Sequence, residues 1–223
     1  MAQTAYPTAT TLETFITTAL GADYAEMTPL LAALDYTKAI AAAQAEFEAK
    51  TNRIFLATAS AQKRFDPPIN KPLLLLRRDL ATVSAVAYTP QGGTTTTFTS
   101  GTDYVLEPLN AADEGRPYYG IHFAQWKWQG PINLARKGSI YVTGFWGWGT
   151  TSTGFPDDVY WAIHALGACK LWPQIAARRS GGMLSFSQQG ATQDYGVAPY
   201  GYMRKEWDDQ VKDAMSTYRR IGI

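Results

Sequence analysis

Residues 138–172 read GSIYVTGFWGWGTTSTGFPDDVYWAIHALGACKLW, and the fold turns on how this stretch is divided. Its first part, GSIYVTGFWGW, is rich in β-branched and aromatic residues and predicts a strand. Gly144, Gly147 and Gly149 are separated by bulky rings, a pattern of a bulge or bend at a strand end. Those rings would also block the close backbone approach that a phosphate-binding loop needs. The second part is helical. Pro156 suits a first helical position, and Asp157 and Asp158 complement the positive end of the helix dipole. Val159, Ala162, Ile163, Leu166 and Cys169 then form one apolar stripe. Pro173 is expected to kink or end the helix. A β region therefore hands over to a helical one near residue 150.

Upstream, residues 61–150 are rich in Thr, Val, Tyr and Gly, with turn signals between short runs. PLLLL, VSAVAYT, TTFTSGTDYVLEP and GIHFAQWKW read as further strands, with Asp66-Pro67-Pro68 and Gln91-Gly92-Gly93 as turns. Five or more strands without a clear helix predict a small antiparallel sandwich or barrel. Further upstream the chain is helical. Thr10 and Glu13 fit a capping box at the start of LETFITTAL, and Gly21 ends that helix. Asp35 can cap the next, in which Ile40, Ala43 and Phe47 recur at helical spacing.

Downstream, SGGMLSFSQQGATQDYGVAPYG at 180–201 predicts a long loop. MRKEWDDQVKDAMSTYRR follows as a last helix, with Trp207, Val211, Ala214, Met215 and Tyr218 on one face and Arg219 and Arg220 at its negative end. The expected architecture is α+β: a helical bundle core from 10–60 and 151–223, with an inserted antiparallel β-sandwich or barrel-like domain at 61–150.

Seven Trp and thirteen Tyr accompany a charged fraction of only 17% in a chain of 223 residues. Such composition fits either an oligomer with aromatic interfaces or one large aromatic core. The net charge of +1 carries no global signature for nucleic acid or membrane. It is unevenly spread: eight Lys/Arg against five Asp/Glu from Lys170 onward, and three against six in residues 1–60. Cys169 is the only cysteine, so neither an internal disulfide nor a cysteine zinc site is expected. MAQTAYPTATT lacks a basic and apolar leader pattern, so no signal peptide is expected, and no apolar run approaches a membrane span. These features predict synthesis in a reducing, soluble compartment.

Catalytic or metal chemistry finds little to work with. His122 and His164 lack ligand partners at helical or strand spacing. No Walker A, GxGxxG or GxSxG pattern occurs. Asp157-Asp158 is better read as a helix start than as a carboxylate pair. No catalytic residue, metal site or cofactor is expected. Trp126-Lys127-Trp128 and Trp146-Gly147-Trp148 are the strongest binding candidates. On a strand, residues two apart share a face, so each pair would form a platform for a sugar or base, or else pack in a core or subunit interface.

Several local patterns share one order. KTNRIF at 50–55 follows a helix and precedes the β region. GSIYVTGFWGWG at 138–149 leads into FPDDVYWAIHALGACKLW. LSFSQQGATQDYG leads to a helix ending in YRRIG at 218–222. This succession resembles the head-to-tail adaptor, or connector, family of tailed phages with long tails. The resemblance spans residue 30 to the end. It implies a non-enzymatic virion protein of the neck, made in the host cytoplasm. It implies a ring of twelve beneath the portal protein, a surface for the stopper or head-completion protein, and transient passage of double-stranded DNA through the lumen during ejection. It also implies that the C-terminal segment docks on the portal, with Arg204, Lys205, Trp207, Tyr218, Arg219 and Arg220 as the candidate contacts. The alternative is a carbohydrate- or receptor-binding virion module using the paired tryptophans.

Overall fold

The computed structural model describes residues 2–21, 31–68, 71–90, 93–124, 137–179, 185–188, 191–194 and 201–220. The protein is α+β, with four helices and thirteen strands among these residues. Its chain divides into two compact units. One comprises Tyr6–Asn52 and Pro156–Arg220, the other Met1–Ala5, Arg53–Phe155 and Ile221–Ile223.

The first unit is helical. Helix α1 (Ala9–Leu20) is capped by Thr8, not by the expected Thr10. The Thr8 hydroxyl accepts from the Thr11 amide at 3.3 Å, and the Thr11 hydroxyl accepts from the Thr8 amide at 2.8 Å. A threonine hydroxyl thus does what Glu13 was expected to do two residues later. Gly21 closes the helix at φ 58°, a backbone region that favours glycine. Helix α2 (Tyr36–Thr51) starts as expected at Asp35, whose carboxylate accepts from the Lys38 amide at 2.9 Å. Helix α3 (Asp157–Arg179) begins one residue after Pro156 and runs on past Pro173 for six further residues. One lost amide donor is a local cost, and Ile175 beyond it is buried. Helix α4 (Gly201–Tyr218) packs on α3, which also packs on α1 and α2. Leu12, Ile16, Ile40, Phe47, Val159, Ile163 and Leu171 are buried in this core. Gly167 marks the tightest approach: a methyl there would sit 3.1 Å from Leu12 and 3.3 Å from Ile40.

The second unit is built from strands β1 (Ala2–Gln3), β2 (Leu56–Ala57), β3 (Ser60–Phe65), β4 (Leu73–Leu80), β5 (Thr82–Tyr88), β6 (Thr96–Phe98), β7 (Tyr104–Glu107), β8 (Tyr118–Phe123), β9 (Ile140–Phe145), β10 (Gly149–Thr150) and β11 (Phe155–Pro156). Four of them pair antiparallel in the order β3-β9-β5-β6, and three in the order β4-β8-β7. Leu74, Leu76, Ile121 and Phe123 from the smaller sheet meet Val86, Phe98, Ile140 and Val142 from the larger in a single buried cluster. The run TTFTSGTDYVLEP, expected as one strand, is two, and they belong to different sheets. A turn lies between them, where the Asp103 carboxylate accepts from the Thr99 amide. Strand β3 was not anticipated: SAQKRF shows no alternation because this edge strand is mostly exposed.

The glycine-aromatic corner after β9 takes its form from close backbone approach. A methyl on Gly144 would lie 2.1 Å from the Thr82 carbonyl oxygen, beside the register shift between Val83 and Ala85. One on Gly149 would lie 1.7 Å from the Gly154 carbonyl oxygen. Strand β10 then pairs parallel with β2, and β1 with β11. Within 180–201, expected as loop throughout, strands β12 (Ser185–Gln188) and β13 (Ala191–Asp194) pair as a hairpin.

Candidate functional site

Helix α4 carries most of the residues nominated for partner binding, and their environments differ. Trp207 is only 5% exposed, with its ring 5.6 Å from that of Phe15 and 6.0 Å from that of Trp172. It is a core residue of the helical unit, packed between Phe15 and Trp172. Val211 and Ala214 are buried on the same face. The Tyr218 hydroxyl donates to the carboxylate of Asp158, 3.0 and 2.9 Å from its two oxygens. This ties the end of α4 to the start of α3. The Arg220 amide donates to the Thr51 carbonyl at 2.9 Å. Arg204, Lys205 and Arg219 are exposed, and Arg220 is half-buried. The last helix is thus fastened to its own unit by one face and one end, and presents Arg204 and Lys205 outward.

Along the outer side of α4 runs an open groove of about 700 Å³, lined by Asp158, Lys205, Glu206, Asp209, Gln210, Asp213, Ala214 and Thr217. Four carboxylates face one ammonium there. The neighbouring Lys212 pairs with Asp208 at 2.5 Å and lies 3.9 Å from Asp209.

Trp146 and Trp148 do not make a shared platform. Trp146 is 6% exposed and belongs to the β core. It stacks on Phe65 at 5.7 Å, donates its indole N–H to the Ala61 carbonyl at 2.8 Å, and lies beneath the Lys63 ammonium at 4.2 Å. Trp148 stacks on Phe55 at 6.1 Å and donates to the Gly115 carbonyl at 3.0 Å, with the Arg53 guanidinium 5.0 Å from its ring. Each ring is held by its own neighbours, because the bend at Gly147 breaks the strand alternation on which a platform depends. Trp126 and Trp128 lie outside the described residues.

Arg53 is a residue whose role the sequence did not disclose. Its Nη1 lies 2.7 Å from Oδ2 of the buried Asp79, with both side chains largely shielded from solvent. Together with Phe55, which is fully buried, it anchors the start of the β unit at 53–55. Only the exposed flank of Leu-Leu-Arg-Arg-Asp-Leu at 75–80 hinted that Asp79 breaks the pattern of an outward charge.

His164 lacks the surroundings of a catalytic base. His164 is 1% exposed, with Nδ1 3.1 Å from the Tyr160 carbonyl oxygen and Nε2 2.9 Å from the Thr11 hydroxyl. Burial pushes its pKa down to about 4, partly offset by the Tyr160 carbonyl, so it is neutral at pH 7. His122 lies in β8, paired with Leu73 and Val105 across its two neighbours. Burial raises the Cys169 thiol, with Asp208 acting in the same direction, so the thiolate is disfavoured. Among the described residues, no group of three or more His, Cys, Asp or Glu side chains is placed to hold a metal ion, and no helix is long and apolar enough to cross a membrane.

One aromatic feature emerged only from the fold. Trp161 on α3 is 42% exposed, beside Phe15 at 6.1 Å and Tyr160 at 5.4 Å. In the sequence it sat between stripe residues and was indistinguishable from a core position.

No protein-family model matches the chain, and no curated protein does. Solved structures match along its whole length. A chain from the neck of an empty GTA particle, computed with C6 symmetry, is 17% identical, with 100% of this chain and 94% of that chain covered at a TM-score of 0.51. A chain from the neck of a native GTA particle, computed with C12 symmetry, is 17% identical, with 100% and 96% covered and a TM-score of 0.44. A chain from the virion of a native gene transfer agent particle is 16% identical, with 100% and 96% covered and a TM-score of 0.48. The first of these shows a shared fold across both units.

Proposed function

We propose that this protein is a head-to-tail adaptor, a structural, non-enzymatic component of a virion neck. It forms a ring on the portal, offers a surface to the stopper or another tail-side neck protein, and lets the genome pass. The observation that carries this reading is the end-to-end likeness, over helical and β units alike, to a chain from the neck of a phage-like particle. The order of motifs from KTNRIF to YRRIG supports it independently. In this reading 10–60 and 151–223 form a helical bundle core, and 61–150 is a β-sandwich inserted into it. A ring of twelve is the assembly the resemblance implies, and the C6 symmetry of the neck that contains the similar chain is compatible with it.

The outward residues Arg204, Lys205 and Arg219 support a portal-facing role for the C-terminal region, with Arg220 and Tyr218 serving to fix it in place. The open groove suits protein contacts better than a small substrate, since a ligand pocket usually encloses its ligand. Near-zero net charge also suits a conduit, because each phosphate neutralised by the wall would add affinity and slow passage.

A particle-assembly assay tests this. Cells producing the particle without this chain should accumulate DNA-filled heads that lack tails, and supplying the chain in trans should restore tailed particles. Normal tailed particles in its absence would overturn the proposal.

A further inference from the structure

The two units carry opposite charge. The helical unit holds ten Lys/Arg and thirteen Asp/Glu, and the β unit ten and six. The excess is concentrated. In the β unit, β3 and β4 are edge strands of their sheets, and both bear cations: Lys63 and Arg64 on β3, Arg77 and Arg78 on β4. Arg64, Arg77 and Arg78 are exposed and Lys63 half-buried. None of the four has a carboxylate within ion-pair distance among the described residues. The one carboxylate of this stretch, Asp79, is occupied by Arg53. Burial and the charge of Arg78 both hold the Lys63 pKa below its ordinary value, as expected where cations lie close without compensation.

Charges on an edge strand discourage uncontrolled pairing, which accounts for one or two of them. Two adjacent arginines on one edge strand and a lysine near enough to feel Arg78 exceed that need. Their complement exists on the other unit of the same chain: the outer side of α4, with Glu206, Asp209 and Asp213. Of these, Glu206 and Asp213 have no ion-pair partner among the described residues. A protein that carries both a basic face and an acidic one is suited to head-to-tail association, in which each copy uses a different surface on either side.

We propose that the basic edge formed by Lys63, Arg77 and Arg78 docks against the acidic side of α4 in a second copy of this chain. The inference rests on the ring reading above and names the surfaces that would close the ring. Repeated at each step, this contact makes every subunit both donor and acceptor, and rotation closes it.

Two variants of the full chain test it, R77E/R78E and E206K/D213K. All four side chains are exposed, and since Arg78 adjoins the Arg53–Asp79 pair, circular dichroism and urea denaturation check that each variant folds. Sedimentation velocity at 50 and 500 mM salt, with and without the purified portal ring, reads association. The wild type should assemble more tightly at low salt. Each variant alone should lose at least about 100-fold in association, equivalent to two lost charge pairs. Mixed together, the two variants should regain association and grow in alternation, because the intact basic edge meets the intact acidic helix and the reversed edge meets the reversed helix. If both variants assemble like the wild type, or the mixture stays monomeric, this interface is wrong while the ring reading stands. A wild type that stays monomeric even with the portal ring removes both. Should R77E/R78E instead weaken binding to a 30-base-pair duplex and leave self-association unchanged, the basic edge serves nucleic acid and the proposal is overturned.

Discussion

The helical unit and the β unit reach stability by different routes. In the helical unit, small residues let helices approach, and long-range aromatic contacts lock the result: Gly167 admits Leu12 and Ile40, while Trp207 joins Phe15 and Trp172. Its charges are mostly outward, and its buried polar residues among those described include Thr51 and a neutral His164. In the β unit, two sheets share one apolar cluster, and a shielded ion pair, Arg53–Asp79, sits beside a glycine-aromatic corner. Helix periodicity shows itself within a dozen residues, whereas strand pairing is set by distant partners. The first unit was therefore easier to read, and the second holds more of the surprises.

The largest expected effect concerns whether α4 is a detachable arm. Ending the chain before Gly181 removes Trp207, Val211 and Ala214 from the core, each apolar side chain worth about 1.5–3 kcal/mol when large. That sum rivals the total stability of a domain, about 5–15 kcal/mol. The truncated chain should lose protection in α1, α2 and α3, measured by segment-resolved hydrogen exchange, while strands β3–β9 keep theirs. Full protection in α3 would mean α4 is dispensable and a docking arm after all.

Replacing Asp79 with Ala strands Arg53 without its anion and should cost the β unit about 3–5 kcal/mol, as removal of one partner of a shielded pair does. Urea denaturation followed by exchange in β4 and β8 measures it. A loss below about 1 kcal/mol would show that Arg53 is content with Trp148 and water.

Acid should act on the helical unit first. The folded His164 pKa lies near 4, below the ordinary 6.5, so the unfolded chain takes up the proton earlier. Stability is full above pH 6.5 and declines as pH falls toward 4, by about 3 kcal/mol. The His164→Gln variant should lose that decline in a thermal-denaturation series from pH 7 to 4.5. An unchanged slope would place the acid sensitivity elsewhere.

The smallest effect is at Glu46, whose pKa is lowered by hydrogen bonds to Lys170 and Lys50. Its pairs at 2.6 Å are partly exposed, so Glu46→Gln should cost only about 0.5 kcal/mol, and only above the ordinary carboxylate pKa. A cost above 2 kcal/mol in urea titration would give this surface pair a weight its exposure does not suggest.

What the sequence disclosed follows from the range of the forces involved. Asp35, Gly21 and the stripe from Val159 are local signals, and they stand where short-range chemistry puts them. The capping site of α1 moved from Thr10 to Thr8 because two hydroxyls two residues apart compete for the same role. Pro173 failed to stop α3 because the cost of one missing donor is local and the packing beyond it is not. Splitting TTFTSGTDYVLEP between two sheets depends on β5 and β8, residues that no window around it contains. The aromatic face of α4 was visible by its period, but the period could not say whether Trp207 faces its own unit or a partner. Charge imbalance between the ends of the chain was legible, while its meaning required knowing which residues form each unit.

The central claim is a ring on the portal. The most direct measurement mixes the purified chain with the portal ring of its own particle and images the mixture by negative-stain electron microscopy, with each component alone as control. The account predicts an added tier of density beneath the portal with matching rotational symmetry. A well-folded chain that stays apart from the portal would contradict it.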